Sequence, residues 1–292
     1  MSGTDSAVRA VRRLQKRVRE RMPHVWAGHP VAARRILPWA EHLHALRAKV
    51  RPYRPIRPLE LVVYELSQAL PEARFVQVGA HDGTQLDPLR ESILGARWSG
   101  IMVEPVPYVF DRLAARYRSN PRIALENVAV SDVDGTREFY FLDEAGSGDD
   151  VWKWYDALGS FKREVVVSHT ELVGDIEERV RSTDVPCVTF ATLCTRNGFD
   201  HVDLVLIDTE GYDRDVLELI DFDRFRPSVV IFEHLHLDDD AREACRSLLE
   251  RHGFQQVSDG MDTIAVTDVA LAFSGVRSAF AAAKVALAEF KQ

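Results

Sequence analysis

Residues 75–83 read FVQVGAHDG, an apolar run broken only by Gln77 that ends in two glycines four positions apart. Such a run suits a strand buried on both faces, and the glycines suit a tight loop whose backbone approaches a ligand without Cβ interference. The pattern then repeats along the chain. Gly100–Glu104 (GIMVE), Ile123–Val130, Asp203–Ile207 (DLVLI), Val229–Phe232 and Thr263–Val266 read as further strands. Helices are expected at Val109–Tyr117, Asp213–Leu219 and Ala241–Arg251. Uniformly apolar strands alternating with helices predict an α/β fold, a mainly parallel sheet covered on both faces.

The flanks differ from this body. Through Pro58 there are fourteen basic residues against Asp5, Glu20 and Glu41, a net of +11 that leaves −19 on the rest of a chain whose total is −8. The acidic body argues against broad nucleic-acid binding, which draws most of its affinity from phosphate neutralisation. The basic segment suits contact with the acidic body, with an acidic partner, or with an anionic membrane surface as a peripheral contact. The expected organisation is a helical and extended arm over 1–58, a main domain over 59–268 opening on a helix at Leu59–Leu70, and a C-terminal helix over 269–292. Within the domain, 144–186 shows little pattern and reads as a lid or acceptor-recognition insert. Trp152, Trp154, Tyr155 and Phe161 supply its aromatic surface, and His169 its imidazole. On the terminal helix, Phe273, Val276, Phe280, Ala283, Leu287 and Phe290 form an apolar stripe. It packs on its own domain or the N-terminal helix in the simpler reading, and forms a homodimer seam in the other.

Composition narrows the class further. Of the 292 residues 46% are hydrophobic, yet no run reaches the roughly 18–20 apolar residues needed to span a bilayer. Cys187, Cys194 and Cys245 lack CxxC spacing and are odd in number, which argues against a disulfide framework and a zinc knuckle. With no secretory signal evident, the expected location is cytoplasmic.

In an open parallel sheet, ligands sit beyond the carboxyl ends of the strands. The loop Gly79–Gly83 is not GxGxxG, and no GxxxxGK[ST] run is present, so dinucleotide and triphosphate fingerprints both fail. Glu104, about twenty residues past a glycine loop, is placed to accept hydrogen bonds from ribose hydroxyls. Asn127 and Val128 offer an amide and an apolar face for adenine. Together these point to a nucleoside cofactor without a pyrophosphate, a description that S-adenosylmethionine fits.

FVQVGAHDG, IMVEP, ENVAVSD, LGSFKREVV, VDLVLIDTEGYDRDVLELID and FEHLHL together resemble the FkbM-type family of S-adenosylmethionine-dependent methyltransferases, over about Phe75 to Val266. The resemblance implies a class I methyltransferase fold: a Rossmann-like seven-stranded sheet whose last strand is antiparallel. It also implies methyl transfer to oxygen, commonly a hydroxyl of a sugar or polyketide. Carried over, Gly79, Ala80, His81, Asp82 and Gly83 would hold the methionine moiety and Glu104 the ribose. Gln77 departs from the acid that many class I enzymes place there.

A hydroxyl acceptor must lose its proton, so a base or metal should lie near it. The ends of the fourth and fifth strands supply candidates. Asp208 and Glu210 lie two apart and point the same way while strand geometry persists; Glu233, His234 and His236 follow VVIF. Asp208, Glu210 and His234 are the expected catalytic residues, with His234 or His236 as base and Asp208 orienting it. A second arrangement sets Asp208, Glu233 and His234 around a hard divalent ion such as Mg²⁺. Helix capping is assigned to Asp213. The sequence thus predicts an O-methyltransferase acting on a saccharide or natural-product glycoside. A non-catalytic partner of the same fold and a protein N-methyltransferase are the alternatives.

Overall fold

The computed structural model of the chain describes residues 57–84, 87–144, 155–168 and 175–290. The expected arm up to residue 56, together with Trp152, Trp154, His169 and the side chains of Tyr155, Leu287 and Phe290, lies outside the described residues. No helix among the described residues is long and apolar enough to cross a membrane.

Helix α1 (Pro58–Ala69) opens on a proline, whose missing N–H would have had no partner in the first turn anyway. It leads into β1 (Arg74–Val78), α2 (Arg90–Gly95), β2 (Ser99–Val103), α3 (Pro107–Tyr117) and β3 (Ile123–Glu126). The short strand β4 (Ala129–Val130), then β5 (Gly135–Leu142), β6 (Gly159–Ser160), α4 (Arg163–Val167), α5 (Ile176–Arg179) and β7 (Val180–Val188) follow. The second half runs α6 (Phe190–Arg196), β8 (Leu204–Ile207), α7 (Asp213–Glu218), α8 (Phe222–Phe225), β9 (Val229–Glu233) and α9 (Asp239–Arg251). It closes with β10 (Gln255–Ser258), β11 (Asp262–Val266), α10 (Asp268–Leu271) and α11 (Ser274–Phe290).

Seven strands form the main sheet in the order β10-β11-β9-β8-β1-β2-β3, and β11 alone runs antiparallel to its neighbours β9 and β10. Alternate residues of each strand serve different layers. Phe75, Met102, Leu204, Leu206, Val229 and Ile231 join one core with α1, α2 and α11. Val76, Ile101, Val205, Ile207, Val230 and Phe232 join the other with α6, α7 and α9. This two-sided burial is why the strands read as continuous apolar runs. Strand order reverses at β1, which lies between β2 and β8 with Val78 paired to both Val103 and Ile207. The next residues, Gly79, Glu104 and Asp208, therefore emerge side by side at the crevice where such sheets bind ligands.

Two expectations are corrected. Ile123–Val130 is not one strand: it breaks after Glu126, and Ala129–Val130 pairs with β7 in a second sheet of order β4-β7-β5-β6. The Asn127 side-chain amide donates to the carbonyls of Glu104 and Pro105 (2.8 and 3.1 Å), pinning the chain where it leaves the main sheet. The patternless insert over 144–186 contains most of β7, which is paired with β5 from Gly135↔Cys187 to Leu142↔Val180. Its largely solvent-facing residues (RSTDVPC) carry little hydrophobic signal.

As far as Ala283, the C-terminal stripe packs on its own domain. Val276, Ala279, Phe280 and Ala283 are buried in the same core as Leu59, Val62, Val63 and Leu66 of α1. At the start of α1, the Arg57 guanidinium is held by Asp259 at 2.9 Å and by Asp262, on either side of the β10–β11 turn. Phe280→Ala is expected to lower unfolding free energy by about 3 kcal/mol in urea titrations, through lost transfer energy and a residual cavity. Exposed Ala281→Ser should stay within about 0.5 kcal/mol.

Candidate functional site

The cleft at the strand reversal is built first by the loop after β1. The backbone N–H groups of Gly79 and Ala80 both donate to the Val103 carbonyl (3.0 and 2.9 Å), continuing the β1–β2 ladder into the loop. Gly79 has φ +82°, and a Cβ there would overlap the carbonyl oxygen of Asp208. Only glycine lets the ends of β1 and β8 meet this closely. His81 also takes a left-handed φ, +47°, and its N–H donates to Glu104 Oε2 at 2.9 Å. Glu104 Oε1 accepts the Val106 N–H at 2.9 Å. This carboxylate is buried, and loss of hydration pushes its pKa up to about 7 against the pull of the two N–H donors.

The predicted cofactor residues divide into two groups. Gly79, His81, Glu104 and Val128 line the cleft, along with apolar Val106 and Val130. Ala80, Asp82, Gly83 and Asn127 do not; they form the loop's supports. Asp82 is buried, accepts the Thr84 N–H and hydroxyl (2.8 and 2.7 Å), and faces Arg116 at 3.2 Å. The Gly83 carbonyl accepts the Tyr117 hydroxyl at 3.0 Å. The Asn127 amide N–H groups serve main-chain carbonyls, as above. Gln77 is buried away from the cleft and donates to Asp87 at 3.3 Å. In the cleft wall, the Nε2 of His81 is a buried polar atom with no hydrogen-bond partner.

The opposite wall comes from the loop after β8. Asp213, at the first position of α7, turns its buried carboxylate back onto this loop. It accepts from the Thr209 hydroxyl (3.0 Å), the Gly211 N–H (3.2 Å) and the Thr209 N–H (3.4 Å). Burial pushes its pKa up to about 7. The loop so held carries Glu210 at φ +52° and Gly211 at φ +96°, so strand alternation ends at Asp208. Asp208, Glu210 and Tyr212 all line the cleft. Asp208 opens onto it as an exposed side chain above the tightly packed ends of β1 and β8. Lost hydration, then the charges of Glu210, Glu233 and Asp213, hold its pKa well above the usual carboxylate range. Among the described residues, its carboxylate accepts no hydrogen bond.

The imidazole beside these acids is His236. Its Nε2 lies 3.1 Å from Glu210 Oε2 and 3.8 Å from Glu233 Oε2, and the bond to Glu210 raises its pKa. His234 stands apart, correcting both the predicted catalytic set and the predicted metal set. Its Nδ1 lies 3.0 Å from the Thr263 hydroxyl and its Nε2 3.4 Å from the Ser258 hydroxyl, in a separate groove with Arg242 and Arg246. Burial there lowers its pKa. Instead of Asp208, Glu233 and His234, the fold brings together Glu210, Glu233 and His236, one potential ligand atom from each lying within 4.8 Å of the others.

Phe161, expected as part of the insert's aromatic surface, lines the cleft, whereas Tyr212, Phe139 and Arg137 beside it were not legible as site residues. Tyr212 meets Phe161 edge-on at 5.2 Å, and Phe161 meets Phe139 at the same distance, so the second sheet supplies an aromatic wall. The Arg137 guanidinium lies 4.1 Å from the Phe161 ring centre. Asp213→Ala leaves three donors of the 209–211 loop without their acceptor. It is expected to cost about 2–3 kcal/mol in urea unfolding, with Asp213→Asn, which keeps one acceptor oxygen, costing less.

No curated protein sequence matches the chain. Among solved structures, the methyltransferase FkbM from Methylobacillus flagellatus KT is similar at 13% identity and TM-score 0.44, covering 73% of this chain and 48% of that one. The chain thus spans about half of that protein's length. An O-methyltransferase from Bacillus cereus in complex with SAH is similar at 11% identity and TM-score 0.37, covering 87% of this chain and 97% of that one. The precorrin-6y C5,15-methyltransferase from Geobacter metallireducens GS-15 is similar at 10% identity and TM-score 0.37, covering 72% and 88%. The model of the methyltransferase FkbM domain family matches residues 77–255. That span is more than half of the chain and includes every residue that lines the cleft, and the chain accordingly belongs to the FkbM family of S-adenosylmethionine-dependent methyltransferases.

Proposed function

We propose that this methyltransferase acts on a hydroxyl oxygen of a saccharide or natural-product glycoside. The observation that carries the reading is the unengaged carboxylate of Asp208. It lies on the cleft floor between the Gly79 loop and the Glu210–His236 pair. A hydroxyl must give up its proton as it is methylated, and a carboxylate within reach accepts it; an amine that arrives neutral has less need of such a base. The aromatic wall of Phe161 and Tyr212 offers an apolar surface to a sugar ring or aglycone.

The residues of the first loop fit the cofactor. Each Glu104 oxygen takes one backbone N–H and keeps a lone pair for a ribose hydroxyl. Gly79 lines the cleft without a side chain of its own, and His81 Nε2 is a buried atom in want of a polar partner. Val106, Val128 and Val130 give adenine an apolar bed. When bound, S-adenosylmethionine supplies an electrophilic methyl group on a sulfonium. The chain's own part is to hold the acceptor oxygen in line and to receive its proton at Asp208.

Two outcomes follow. Ribose hydroxyls donate to the ionised form of Glu104, so affinity for S-adenosylhomocysteine should rise with pH as this group ionises. With a pKa of about 7, calorimetry should find roughly tenfold weaker binding at pH 6 than at pH 8. Glu104→Gln should weaken binding and flatten the profile. In mass spectrometry of a panel of glycoside, polyol and peptide acceptors, methyl should appear on oxygen, and Asp208→Asn should lower turnover by about 10²-fold or more. Methylation of peptide nitrogen alone would replace this reading.

A further inference from the structure

Resting on that reading, we propose that Glu210, Glu233 and His236 form a site for one first-row divalent cation that holds the acceptor's hydroxyl oxygens beside Asp208. The three residues come from the loop after β8, the end of β9 and the turn beyond it, and each directs one ligand atom into the same small volume. Glu210 and Glu233 are half-buried, with side-chain exposures of 19% and 14%, and His236 stands at the exposed edge of the group. Two carboxylates so placed repel one another unless a cation lies between them.

An independent observation points to the missing charge. Glu233 Oε2 is buried and has no hydrogen-bond partner, and the nearest cationic group, His236, is 3.8 Å away. Among the described residues no lysine or arginine pairs with Glu210 or Glu233. The adjacent Arg57 is committed to Asp259 and Asp262. A buried carboxylate oxygen without donor or counter-ion is costly, and a metal ion removes that cost.

Ligand chemistry selects the ion. Two carboxylates and one imidazole favour Mn²⁺, Fe²⁺ or Zn²⁺ over Mg²⁺ and Ca²⁺, which prefer all-oxygen shells. Three protein ligands leave positions open for adjacent hydroxyls of an acceptor, whose acidity the ion raises. Of the three, Glu210 lines the cleft that Asp208 also lines, which joins the site to the acceptor side of the proposed reaction.

The test uses the full-length protein stripped with chelator and titrated with Mn²⁺, read by the loss of the free-ion electron paramagnetic resonance signal. One Mn²⁺ per chain is expected, with Mg²⁺ displacing it only in large excess. Glu210→Gln and His236→Gln should each weaken Mn²⁺ binding at least tenfold, while the surface control Asp239→Asn leaves it unchanged. S-adenosylhomocysteine binding and near-ultraviolet circular dichroism, measured on the same samples, establish that each variant is folded with a working cofactor loop. Wild-type protein that binds S-adenosylhomocysteine but no Mn²⁺ overturns the site and leaves the methyltransferase reading standing. Equal Mn²⁺ affinity in folded wild type and variants, or equal affinity for Mg²⁺, also overturns it.

Discussion

The architecture of the cleft depends on a main-chain approach: the backbone of Gly79 lies against the carbonyl of Asp208, where any side chain would collide. Parallel pairing of β1 with β2 and β8 brings three strand ends level, but the missing Cβ lets the two central ends close up. That contact sets the floor on which cofactor and acceptor must meet. Glu104 then ties the floor to the wall by accepting N–H groups from the loop after β1 and from the turn before α3. A single carboxylate thereby orders two loops.

The second wall is an accumulation of negative charge with few counter-charges. Burial, and then the charge of neighbouring acids, raises the pKa values of Asp208, Asp213 and Glu233, and among the described residues the basic group set against Glu210 and Glu233 is His236. Their tasks nevertheless differ. Asp213 spends its oxygens on the loop, whereas Asp208 keeps its own free. Such crowding of acids in a cleft is what enzymes use to prepare a group for proton transfer or to recruit a cation.

Much of the fold could be read in the sequence because its central strands are buried on both faces and declare themselves as apolar runs. Glu104 and Asp208 were legible for the same reason: each is the first acid after such a run, and topology does the rest. The signal weakens where burial does. β10 (QQVS) lies at the edge of the main sheet, and β7 shows mostly polar residues to solvent, so neither has a hydrophobic pattern to follow. His234 was expected beside Glu233, but adjacent residues at a strand end face opposite ways, and His234 joins Phe232 in the second groove just before the turn. There the Leu237 N–H donates to the His234 carbonyl (3.2 Å), and His236 swings to the acids instead. Asn127 looked like a base-contacting amide; nothing in its spacing reveals that two carbonyls of the neighbouring strand end would claim it.

The Arg57 clamp has a topological consequence. Asp262 sits opposite Glu233 in the sheet, so the guanidinium moors the first turn of α1 to the same rim as the acid cluster. The described chain therefore begins beside Glu233, and whatever loosens the first turn of α1 also frees the hairpin that carries Asp262.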